Sequence, residues 1–215
     1  MSLSYKALHR TTAILVLAFV AIHMITHISG LWGIATYNTV QNTFRVAYQN
    51  PFLEPILLIS VVFQLASGLI LLIRKTRRGL RGPWDRVQVL SGGVILFFTT
   101  QHLISFTISR WIDGLDTNFY WPASVMSGAP FIWYLVPYYF AGVTAMFIHV
   151  GNASRLHFLR SQNKAAATRY FWALTGLGIT LAITIELMLA GAFFDVTLPP
   201  DWITYLQWFV PSYIP

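Results

Sequence analysis

Five stretches of this chain are each long and apolar enough to cross a lipid bilayer, and nothing else in the sequence constrains the fold as strongly. A helix rises about 1.5 Å per residue, so roughly 20 apolar residues cover the roughly 30 Å hydrocarbon layer. Runs of that length lie at about residues 11–34, 52–73, 87–109, 131–152 and 170–194. Composition agrees. The 215 residues are 56% hydrophobic and only 10% charged, where a soluble domain carries about a quarter charged residues. The absence of cysteine excludes a disulfide scaffold, cysteine-ligated zinc or iron–sulfur sites and covalently attached c-type haem. The first run follows Lys6 and Arg10, as a secretory signal would, but it is longer than a signal core and no small-x-small cleavage site follows. The expectation is a retained helix. Together these features predict an all-α, polytopic membrane protein, a single transmembrane domain over residues 1–215 with five helices in a bundle.

Charge placement predicts the orientation. Lys6 and Arg10 precede the first run, Arg74, Lys75, Arg77, Arg78, Arg81 and Arg86 separate the second from the third, and Arg155, Arg160, Lys164 and Arg169 separate the fourth from the fifth. Twelve of the 14 basic residues thus fall on one side of five crossings, and only Arg45 and Arg110 on the other. Basic loops stay in the cytoplasm, so the N-terminus is expected inside and the C-terminus outside the cytoplasmic membrane of a bacterium. The net charge of +7 then reads as a topology signal, with membrane lipid head groups as its partners and no nucleic acid. The opposite loops, 32–51, 111–130 and 196–215, are rich in Trp, Tyr, Phe, Asn and Pro. They are expected to form interfacial turns, and the last of them an amphipathic tail on the outer surface.

Ionisable side chains inside spans are costly and therefore mark candidate functional positions. They are His23 and His27 in the first span, His102 in the third, His149 in the fourth and Glu186 in the fifth. No span carries Lys or Arg to pair with Glu186. Counted along the helices, His23 lies roughly 18 Å, His27 roughly 24 Å, His102 roughly 22 Å and Glu186 roughly 24 Å from the basic side. These four share the outer half, and His149 sits near the inner end. His23 and His27, four residues apart, project from one helix face with Phe19 and Gly30.

Three readings stay open. Neutral imidazoles at matched depth on two helices suit bis-histidine ligation of haem b, the other histidine of the first-span pair bonding a propionate or a quinone oxygen. By depth, His27 and His102 would be the ligands, with Thr26, Thr99 or Ser105 as hydrogen-bond partners of the rings. Alternatively His23, His27 and His102 form a nitrogen site for zinc, copper or non-haem iron, completed by Glu186. The third reading is a structural subunit whose histidines serve helix packing. These residues hold no soluble flavin, nucleotide or iron–sulfur domain, so an electron-transfer role implies further protein subunits.

Five helices with the N-terminus inside, histidines in several spans, no cysteine and an acid in the fifth span resemble the membrane-anchor cytochrome b subunits of succinate dehydrogenase and fumarate reductase. The resemblance implies haem b held between helices and electron exchange with a quinone. It matches His23 or His27 to the first-helix ligand, His149 to the fourth-helix histidine, and Glu186 to an acid linked to proton movement. The family's five-helix anchors hold two haems. Spans two and five here lack histidine, Gln64 standing mid-span in the second, so one haem is expected.

Overall fold

The computed structural model describes residues 5–160 and 163–215, without the side chains of Lys6, His157 and Arg160. The side chains of two residues of the orientation argument, Lys6 and Arg160, therefore lie outside the description. The described chain is 81% helical and holds no strand. The helices are α1 (Tyr5–Ser29), α2 (Ile34–Tyr48), α3 (Leu53–Arg77), α4 (Pro83–Thr107), α5 (Tyr120–Ser124), α6 (Phe131–Arg160), α7 (Lys164–Leu189) and α8 (Pro200–Phe209). Five of them, α1, α3, α4, α6 and α7, are long and apolar enough to span a membrane. This makes a multi-pass membrane protein.

Helix limits follow local chemistry. Pro83 and Pro200 sit at the first turns of α4 and α8, where no backbone donor is needed. The Asn163 side chain accepts from the Ala166 amide at 2.9 Å and starts α7. The fifth span ends at Leu189, short of the Phe194 expected from hydropathy. Gly191, at a φ of 82°, turns the chain, with Ala192 N–H donating to Leu187 O and Gly191 N–H to Met188 O. This pair of bonds closes a helix even when apolar residues follow. The 32–51 loop is not an irregular turn. It holds the 15-residue helix α2. α4 continues into a π-helical turn, Ile108–Ile112, from which Arg110 pairs with Glu54 at the start of α3.

The spans pack in sequence, α1 on α3, α3 on α4, α4 on α6 and α6 on α7, and α7 returns to touch α1. At the basic end, Gln64 on α3 donates to His9 O at 2.7 Å and to Thr12 Oγ1, and His9 Nδ1 is 2.6 Å from Ser67 Oγ. Gln64 is thus spent on joining α1 to α3. At the same end Asn152 on α6 donates to Trp84 O (3.1 Å) and Gln88 Oε1 (2.7 Å) on α4. At the aromatic end, α5, α8 and the last residues cover the helix ends. Tyr213, 1% exposed, bonds Ser127 there.

Small residues set helix approach. A Cβ at Gly178 on α7 would stand 2.5 Å from Phe147 Cβ on α6, whereas one at Gly176 meets nothing within 4 Å. Gly178→Val is expected to destabilise the protein by about 1–3 kcal/mol through overpacking. Gly176→Ala is expected to be neutral or slightly stabilising, because alanine favours helix. Thermal melting of both variants in detergent checks this, and equal loss in the two would contradict the packing.

Candidate functional site

Between α1, α3, α4, α6 and α7, and under α2, lies a cavity of about 250 Å³, lined by 33 residues that include His23, His27, His102 and Glu186. Most of its wall is apolar, with a few polar groups converging on it, as small-molecule and cofactor sites are built. The four sequence-predicted residues placed far from the basic end therefore meet in one place.

His23 and His27 share the inward face of α1 because they are four apart. Their Nε2 atoms are 3.2 Å apart, and Phe19, one turn earlier, stacks on His23 with ring centroids 5.7 Å apart. The ring that stands beside His102 is that of His23, at 6.1 Å between centroids. His27 is instead turned to Tyr37 of α2, its Nδ1 3.4 Å from the phenol oxygen. Depth alone favours His27 as the partner of His102; ring direction favours His23. Thr26, expected as a ring partner, gives its hydroxyl proton to Ile22 O of its own helix at 3.1 Å. The partner of His23 is His27.

His102 is held by aromatic rings rather than by hydrogen bonds. Phe98 stacks on it (5.5 Å, 15° between planes), Trp121 of α5 tilts against it at 5.4 Å, and Tyr139 of α6 meets it edge-on at 6.1 Å. Its Nδ1 is buried with no partner. Burying a polar atom without a bond costs free energy, so an atom left this way marks a position where a ligand or water completes the site. Three more unpartnered buried atoms belong to residues of the same cavity wall: Glu186 Oε1, Gln41 Oε1 and Arg45 Nε.

Gln41 and Arg45 lie one and two turns beyond Tyr37 on α2, and sequence reasoning missed all three. Gln41 is 8% exposed, and its amide donates to Thr117 O at 3.1 Å. Arg45 donates to Asp116 Oδ1 (2.7 Å) and Thr117 O (2.8 Å). Tyr37, Gln41, Arg45 and Tyr48 repeat at helical spacing, the one available signal, on a face that is polar. Burial holds the Tyr48 phenol up, opposed by the Arg45 guanidinium.

His149 is elsewhere. Its ring takes Gln88 Nε2 at 2.8 Å and Ser91 Oγ at 3.1 Å, and a Cβ at Gly92 would stand 3.1 Å from it. The small residues around His149 thus fit it closely into the α4–α6 contact near the basic end. The three imidazoles of the cavity come together, yet no group of three or more His, Asp or Glu side chains among the described residues is arranged around a point that could hold a metal ion.

No protein-family model matches the chain, and no curated protein or solved structure matches it either.

Proposed function

We propose that this protein is an integral membrane electron-transfer subunit that binds one haem b between His23 of α1 and His102 of α4 and exchanges electrons with a quinone. The observation that carries this reading is the meeting of imidazoles from two different spans at one apolar cavity, with the His102 ring free of any hydrogen bond and its Nδ1 buried. A bis-histidine haem needs such neutral rings from two helices. When bound, the haem would supply one-electron chemistry. Phe98, Trp121 and Tyr139 would hold the His102 ring in place, and His27 would serve the other nitrogen of His23.

Quinone chemistry draws its support from the α2 wall of the cavity. Gln41 Oε1 offers an unpaired acceptor and Arg45 Nε an unpaired donor, the pair a hydroquinone hydroxyl or a quinone carbonyl requires. Glu186 on α7 lines the same cavity, and in this reading it takes up the protons released on quinol oxidation. In this reading the five spans form a bundle in a bacterial cytoplasmic membrane, with the N-terminus inside and the C-terminus outside, and separate protein subunits deliver or receive the electrons. The resemblance to succinate dehydrogenase and fumarate reductase anchors points the same way.

A second reading, a zinc, copper or non-haem iron site on His23, His27 and His102, is favoured by the convergence of the three rings alone. The two part under titration with a hydroquinone. Added to the oxidised protein in detergent, it is expected to reduce the haem to the level that dithionite reaches. A haem reduced by dithionite only and not reoxidised by added quinone would dismiss the quinone, and a protein with no reducible chromophore would dismiss the haem.

Orientation has its own test. A reporter fused after Pro215 is expected to be active outside the cytoplasm and one inserted at Gly79 inside it, because the basic residues flank Gly79. The reverse pattern would overturn the assigned sidedness.

A further inference from the structure

Tyr37 reaches the cavity from α2, outside the five spans, and is 1% exposed. Its ring stands edge-on to His27 (5.6 Å) and to Phe119 (5.2 Å), and a Cβ at Gly30 would lie 3.1 Å from it. So placed, the phenol can move little. Burial holds it above its ordinary value, with Tyr48 adding to the effect, so it keeps its proton at any physiological pH. The polar atoms then form a row: Tyr37 Oη, 3.4 Å to His27 Nδ1, and His27 Nε2, 3.2 Å to His23 Nε2.

A neutral imidazole has one N–H and one lone pair. In a row of two imidazoles and a phenol, each hydrogen bond fixes the next, and only two directions are possible. If Tyr37 donates to His27 Nδ1, His27 donates from Nε2 to His23 Nε2. His23 then carries its proton on Nδ1 and has no lone pair to offer. If instead His23 donates from Nε2 to His27 Nε2, His27 donates from Nδ1 to Tyr37 Oη. His23 Nδ1 is then a bare lone pair. Only the second direction lets His23 bind an electron-poor centre, and it gives the ring the acceptor for its other N–H that metal-bound histidines have.

We infer that His27 and Tyr37 are positioning residues: the chain His23 to His27 to Tyr37 fixes the tautomer of His23 and presents its Nδ1 as the ligand nitrogen to the cavity. His27 acts on the ligand through His23 Nε2, and Tyr37 acts through His27. The inference rests on the haem reading for what His23 binds and for the direction of the chain; the row of polar atoms itself does not.

The experiment compares the purified protein with Tyr37→Phe, His27→Gln and His27→Leu, reading the haem midpoint potential and the ring-¹⁵N shifts of labelled histidines in the reduced state. A ligand imidazole whose N–H is given to an acceptor is the more basic and favours ferric iron. His27→Leu is therefore expected to keep its haem and raise the potential, and Tyr37→Phe to raise it less, with the His27 Nδ1–H kept by its bond from His23 and its nitrogen shift moved by the loss of the Tyr37 acceptor. His27→Gln, whose amide oxygen can still accept from His23 Nε2, is expected to stay near wild type, an outcome that a merely structural role for His27 would not produce. Unchanged potentials and ring-nitrogen shifts in Tyr37→Phe and His27→Leu would overturn the inference. If the wild type holds no haem, the haem reading fails separately. The nitrogen shifts then decide alone: a fixed Nδ1–H tautomer of His27 that is lost in Tyr37→Phe supports the chain, and an Nε2–H tautomer or identical shifts overturn it.

Discussion

His102→Ala and His23→Ala are each expected to abolish the low-spin haem spectrum, whereas His27→Ala retains it. Loss of an outer partner of a ligand costs metal affinity by about 10–100-fold, and loss of the ligand itself costs more. The asymmetry between the two histidines of α1 comes from their rings. His23 stands 6.1 Å from His102, and His27 has its two nitrogens against His23 and Tyr37. Absorbance spectra and haem content of the three variants, normalised to protein, make the comparison. A bare metal ion bridged by the pair would lose affinity equally with either alanine, and equal loss would favour that site.

Glu186→Gln is expected to fold, to keep its haem and to slow quinol-driven turnover by about a hundredfold, the usual scale of a lost proton acceptor. The carboxyl lines the cavity, has Oε1 buried without a partner, and has no Lys or Arg within the expected spans to pair with. Glutamine preserves shape and polarity and cannot take up a proton. Turnover measured in vesicles, with the haem spectrum as a control for integrity, checks it. Full activity with an unchanged pH profile would reduce Glu186 to a packing residue.

How much of this was legible in the sequence depended on which period carried the signal. The spans were plain, because a run of 20 apolar residues has few meanings. Their ends were less so: hydropathy carries the fifth span to Phe194, and only the glycine at 191 with its positive φ explains the stop at Leu189. The cost of an ionisable group in hydrocarbon picked out His23, His27, His102 and Glu186, which share the cavity wall, and also His149, which is hydrogen-bonded into a helix contact. What the rule could not do is choose between His23 and His27, since helical rise gives depth and says nothing of ring direction. It also passed over Tyr37, Gln41 and Arg45. They lie on a helix between spans whose inward face is polar, so a search for apolar periodicity reads it as loop. His9 escaped for a related reason: at the edge of the first apolar run, it is bound to Ser67 across the α1–α3 contact.

The most direct test of the central claim is a reduced-minus-oxidised difference spectrum of the purified wild-type protein, combined with acid-acetone extraction and metal analysis. The expected result is sharp b-type bands with one extractable haem per chain. A colourless protein carrying stoichiometric zinc or copper, with no haem in the extract, would contradict it.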